Sequence, residues 1–182
     1  MEITETFHTA DREAWRSWLS QHHADKQNIW LVSFSAASNK PRISYLHAVE
    51  EALCFGWIDG IAKKLDDERT AQRFTPRRSK SHWTELNKER ARRLIAQGKM
   101  TDAGFATLPD LSPESFRIAD DILMALRADA ETWQNFERFP HVYKRIRIGY
   151  IEEMRKQPSM FTARLNNFLK KTHENKMFGV ME

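Results

Sequence analysis

The chain has 182 residues, 41% of them hydrophobic and 30% charged, with only six glycines and six prolines. Those values suit one domain, or a domain with a helical extension, and exclude both a large multidomain enzyme and a disordered chain. The net charge of +4 is mild but segregated: residues 63–99 hold 12 Lys or Arg against 5 Asp or Glu, a net of +7, which leaves −3 elsewhere and points to an anionic partner.

Phe7-His8-Thr9 reads as a short extended piece, after which Asp11 or Thr9 caps a helix to about His22 with Ala14, Trp15, Trp18 and Leu19 on one face. Ile29 to Phe34 is short and rich in β-branched and aromatic residues, so it predicts a buried strand between turn-like flanks. Ser44 caps a helix over Tyr45 to Phe55 whose apolar stripe is Leu46, Val49 and Leu53 with Ala48 and Ala52, and Gly56 ends it. Trp57 to Leu65 and Arg69 to Thr75 flank the turn Asp66-Asp67-Glu68 as a hairpin.

Beyond Pro76, Ser79 or Ser81 is placed to cap a strong helix over Thr84 to Gln97 that Gly98 stops, and Thr101 to Phe105 begins a short second one. The rest is helical by pattern, over Ile118–Leu126, Ala130–Phe139, Val142–Arg155 and Met160–His173, with Pro113, Pro140 and Pro158 at the boundaries. The fold class expected is therefore α+β: a small, mainly antiparallel sheet built as strand, helix and hairpin, then a helical C-terminal half. The expected organisation is an α+β domain over 1–110 with a helical extension over 111–182 packed on it. The opening residues MEITETFHTADREAW are acidic, with no apolar core of signal-peptide length, and nothing later approaches a membrane span, so a cytoplasmic protein is expected.

The blocks Cys54-Phe55-Gly56-Trp57-Ile58-Asp59-Gly60, Arg73-Phe74-Thr75-Pro76-Arg77-Arg78, Ser81-His82-Trp83 and Asn87 occur in an order and spacing that resemble the bacterial YdeI/OmpD-associated family. The resemblance continues through Arg90, Leu94, Gly98, Met100 and Ala103-Gly104 and more faintly into the C-terminal third. It implies a link, through the family's name, to bacteriocin protection and an outer-membrane porin. It implies no particular reaction, cofactor or catalytic residue.

Two readings of function follow from the residues. Arg73, Arg77 and Arg78, with Arg69 and Lys80, gather guanidiniums on one strand and the loop beyond it, and Ser81 and the next helix start add donors. The first reading is thus a non-enzymatic binding protein for an anionic small molecule or nucleic acid, with no oligomeric state implied. The bland alternative is a solvated basic face paired with Asp66, Asp67, Glu68, Glu85 and Glu89. The second reading is a small enzyme or small-ligand sensor, with a pocket between the Gly56–Gly60 turn and the Arg73–Trp83 segment.

In that second reading Trp57, Phe74 and Trp83 supply walls, Asp59 and Asn87 supply polar groups, and His82 is the histidine placed to act as acid or base. The seven histidines show no metal-ligand spacing, and neither a Gly-rich phosphate loop nor a nucleophile elbow occurs, so neither metal nor cofactor is expected. The single cysteine, Cys54, sits in an apolar helix end and reads as buried and inert.

Overall fold

The computed structural model describes residues 2–78 and 81–181. Ser79, an expected helix cap, and Lys80, an expected member of the basic cluster, lie outside the described residues. The fold is α+β, with a mixed four-stranded sheet in the N-terminal half and a mostly helical C-terminal half. The chain divides into two units, Met1–Ser81 with Ala91–Leu108, and His82–Arg90 with Pro109–Glu182.

In the first unit, β1 (Thr6–His8) leads into α1 (Arg12–His22), and the Asp11 side chain accepts the Glu13 N–H as the expected cap. β2 (Ile29–Phe34) follows, then α2 (Tyr45–Cys54), whose cap Ser44 accepts the His47 N–H. β3 (Trp57–Lys64) and β4 (Arg69–Pro76) form the hairpin, and the Asp66 side chain fixes its turn by accepting the Glu68 and Arg69 N–H groups. The strand order is β1-β2-β4-β3, antiparallel except for the short parallel β1–β2 pair.

Register assigns the faces. Ile29 pairs with Phe74 and Leu31 with Gln72, so these share one face, while Trp30, Val32, Ala71 and Arg73 project from the other. Trp15 of α1 packs its ring 5.3 Å from Phe74 and donates its indole N–H to Ala48 O at 3.0 Å, which ties α1, α2 and the sheet together. Ala48, Val49, Ala52 and Leu53 are buried as the stripe predicts, and Leu46 is half-buried.

Gly56, at φ +71°, ends α2 in the left-handed conformation, and a Cβ there would stand 2.6 Å from Ala103 O. The helix α3 (Glu85–Ala96) is not capped by Ser81. Thr84 Oγ1 accepts the Asn87 N–H, because the helix begins four residues beyond Ser81, whose own hydroxyl takes the Arg78 N–H. The division between units falls within α3. Thr101 caps α4 (Asp102–Phe105) and also donates its hydroxyl to Cys54 O at 2.6 Å, docking α4 on the end of α2.

The second unit contains α5 (Asp120–Arg127), α6 (Ala130–Arg138), α7 (His141–Glu152) and α8 (Pro158–His173). α7 stops at Glu152, three residues before the expected Arg155, in a run of turns that precedes Pro158. Its core is Ile122, Leu126, Phe136, Phe139, Tyr143, Ile148, Ile151 and Phe168. Asn135 on α6 donates to the Thr172 and His173 carbonyls, both at 3.1 Å, and so closes the last turn of α8. Among the described residues no helix is long and apolar enough to cross a membrane.

Candidate functional site

β4 places Arg73 and Thr75 on the face opposite Phe74, and Asn28, one residue ahead of β2, comes beside them through the Ile29–Phe74 register. Beyond β4 the Arg77 N–H donates to Gly56 O at 2.8 Å, which fixes the direction of the chain leaving the sheet. Arg78 and Ser81 exchange two bonds: the Arg78 N–H donates to Ser81 Oγ, and the Ser81 N–H donates to Arg78 O, each at 2.9 Å. These constraints line a cleft of about 410 Å³ with Arg73, Arg77, Arg78, Ser81, Gln27 and Asn28, and no Asp, Glu, His or Cys is among its lining residues. Arg77 is the most enclosed of the three arginines at 8% exposed. Burial pulls its guanidinium down to about 10, against the opposing pull of the Asp59 carboxylate, so it stays charged at neutral pH.

The three acids of the hairpin turn pair elsewhere. Asp66 pairs with Arg69, Asp67 with Lys64 and Glu68 with Lys40. Arg69 therefore serves the turn and does not line the cleft. Much of the remaining positive excess is used internally as well: Lys88 pairs with Glu85, and Arg93 with Glu50. Arg73, Arg77 and Arg78 line the cleft together, with the Asp59 carboxylate acting on Arg77.

The other residues singled out from sequence lie elsewhere. Trp57 is 1% exposed, donates its indole N–H to His23 O and meets Trp18 edge-on, which makes it a core residue. Asp59 stands opposite Phe74 in the ladder, so its side chain and that of Arg73 leave the sheet on opposite faces. It accepts the Tyr45 hydroxyl at 2.6 Å. His82, Trp83 and Asn87 belong to the second unit. There His82 and Trp83 line a cleft of about 300 Å³ with Lys88, Arg117, Glu152 and Glu153, a mixture of both signs, and Asn87 Oδ1 accepts from Arg90.

Sequence reasoning passed over Gln27 and Asn28, which only strand register brings to the cleft. It also passed over two acids inside α2. Glu50 and Glu51 are buried beside the apolar stripe: Glu51 accepts from Arg12 Nε at 2.5 Å and Arg16 at 2.6 Å, and Glu50 binds Arg12 at 2.9 Å as well as Arg93. Arg16 further donates to Lys99 O at 2.9 Å. The sequence offered only Arg12 and Arg16 one turn apart on α1, because Glu50 and Glu51 fall off the apolar stripe of α2 and read as solvent-facing.

Cys54 is fully buried, and desolvation pushes its thiol up to about 11, so it is held as an unreactive thiol. Among the described residues no group of three or more His, Cys, Asp or Glu is gathered as a metal ion requires.

Two family models match the chain. One, described as a domain of unknown function (DUF8412), covers residues 7–107, and the other, described as Bacteriocin-protection, YdeI or OmpD-Associated, covers residues 115–175. The second is the family that the sequence resembles, matched on the C-terminal helices, whereas the Gly56–Gly60 and Arg73–Arg78 blocks fall within the first. No curated protein and no solved structure matches the chain.

Proposed function

The chain belongs to the DUF8412 family through residues 7–107, and within that region we propose that the Arg73–Arg77–Arg78 cleft makes it a binding protein for a small anionic molecule. The observation that carries this reading is a cleft lined by three arginines with no carboxylate among its described lining residues. Guanidiniums grip phosphate and carboxylate through paired N–H donors, and Arg77, enclosed from water, interacts more strongly with an anion than an exposed arginine does. Ser81, Asn28 and Gln27 add neutral donors of the kind that orient such a group. Binding is favoured over catalysis because none of the described residues lining the cleft is a His, Asp, Glu or Cys that could move a proton.

Thermal unfolding in phosphate and in chloride at equal ionic strength tests this. An anion bound only by the folded state stabilises it by about 2.7 kcal/mol at a hundred times its Kd. Phosphate should therefore raise the melting temperature beyond its general salting effect, which acts on any protein. The double variant Arg73→Gln with Arg78→Gln, which leaves the buried Arg77 in place, should lose the extra stabilisation and keep the general part. Equal responses of the two proteins would remove the proposal. Nucleic acid, if it is the larger anion bound here, would show an affinity that falls steeply with salt.

A further inference from the structure

The second unit carries a different kind of pocket, in a groove of about 340 Å³ between α7 and α8 that residues 178–179 close on one side. We propose that this groove is a binding site for a small carboxylate with an apolar body. It shares no residue with the Arg73–Arg78 cleft and stands or falls separately from it.

Two guanidiniums mark the polar part. Arg147 on α7 is 7% exposed, and its terminal nitrogen donates to Val180 O at 2.9 Å, while its Nε is buried without a hydrogen-bond partner. The group lies between two rings, 5.3 Å from the Tyr150 centroid and 5.6 Å from that of Phe178. Arg164 on α8 lies 3.5 Å from the Tyr150 centroid, and its Nε is also buried without a partner. The two charges thus share one aromatic ring and are no more than about 9 Å apart. None of the lining residues is Asp or Glu, and the carboxylate paired with Arg164, Glu153, is 4.0 Å away.

Such an arrangement is costly while the two guanidiniums face only the Val180 and Tyr150 carbonyls, ring faces and, for Arg164, a carboxylate at the outer limit of an ion pair, because a charge taken from water needs a charged or strongly polar partner. Burial already holds the Arg147 guanidinium below its ordinary range. A guanidinium stacked on a ring keeps its edge donors in the plane, where a planar carboxylate accepts them in pairs. The remaining walls set the rest of the ligand: Ile151 and Phe168 belong to the apolar core, and Phe178 packs against it. A bare phosphate would leave those walls uncovered, whereas an aliphatic or aromatic acid covers them. Gly179 completes the fit. It has φ +82°, and a Cβ there would run into the Arg147 guanidinium, so this residue lets the chain cross directly over the buried charge.

Titration of the full chain with hexanoate, followed by amide NMR, with hexanamide and acetate as controls, decides the matter. Hexanoate should shift the amides of Tyr150, Ile151, Asn167 and Gly179 and bind at least about tenfold more tightly than either control, since one lacks the charge and the other the body. Arg164→Gln should weaken hexanoate by about tenfold or more. Ala163→Phe, at an exposed groove position where folding is not at stake, should block it by filling the space. Hexanamide or acetate binding as well as hexanoate, shifts confined to the Arg73–Arg78 amides, or unchanged binding in Ala163→Phe would each overturn the proposal.

Discussion

Replacing Glu51 with glutamine tests whether the buried charges of α2 hold the first unit together. Glu51 is 1% exposed and accepts two short bonds, from Arg12 Nε and from Arg16. Glutamine keeps the shape and one acceptor oxygen but removes the charge and turns an NH₂ toward a guanidinium. Each charge-assisted bond contributes about 1.5–3 kcal/mol, so two bonds set an upper limit near 6 kcal/mol. The arginine side chains retain 21% and 29% exposure, so on losing Glu51 they recover some hydration, and Arg12 keeps Glu50 while Arg16 keeps Lys99 O. The expected loss is then about 3 kcal/mol, at the low end of the range for breaking a buried pair. Because the chain has two units, a single denaturation curve would mix them. Hydrogen exchange of the Val49, Ala52 and Leu53 amides reports on the first unit directly. A decrease in their opening free energy of less than about 1 kcal/mol would refute the reasoning and place these charges among the weak, hydrated pairs.

Gly104→Ala should cost about 3 kcal/mol, since its Cβ would collide with Cys54 O and Met100 Sδ where α4 docks on α2, whereas Gly98→Ala, with open space and φ +66°, should cost only about 1–2 kcal/mol. Hydrogen exchange of the first unit's amides in the two variants checks the order, and a reversed order would contradict the docking described. In the second unit, His173 Nδ1 lies 3.0 Å from Asp129 Oδ2, and that hydrogen bond raises the imidazole above its ordinary 6.5. Asp129 is held down to about 2, first by the Thr132 hydroxyl, then by the Thr132 N–H and by His173. The stabilisation from His173 is complete below pH 6.5 and is lost as pH rises through the raised folded value, while that from Asp129 is lost only as pH falls from 3.8 toward 2. The melting-temperature gap between wild type and His173→Gln should therefore be widest at about pH 5 and close at about pH 9, and a constant gap would mean that the imidazole charge plays no part.

Local signals carried most of the fold. Asp11, Ser44 and Gly56 mark ends that the structure keeps, because a cap or a left-handed glycine acts within one turn of the chain. The start of α3 was harder to read, since Ser81 and Thr84 both suit a cap and the choice depends on what else Ser81 bonds. Arg73, Arg77, Arg78 and Ser81 were legible as a group because they are close in sequence along one strand and its exit. Asp59 was misleading as a neighbour of Arg73: closeness across a hairpin says nothing about face until the register is known, and the pairing with Phe74 turns the two side chains apart. Gln27, Asn28 and the pairing of Glu50 and Glu51 with α1 and α3 depend on contacts between distant segments, which local patterning does not encode.

The sheet has two outer strands, and neither suits extension by another chain. β1 contributes only three ladder positions, Thr6 to His8. On the far side β3 is longer, but its ladder slips between Asp59 and Ala62, and Lys63 and Lys64 follow the slip. Ile61, 49% exposed, sits at that irregularity, where an incoming strand would meet a broken row of backbone donors and acceptors and then two positive charges. A bulged, lysine-flanked border of this kind resists edge-to-edge polymerisation, so the apolar side chain can stay in water without making the domain self-adhesive.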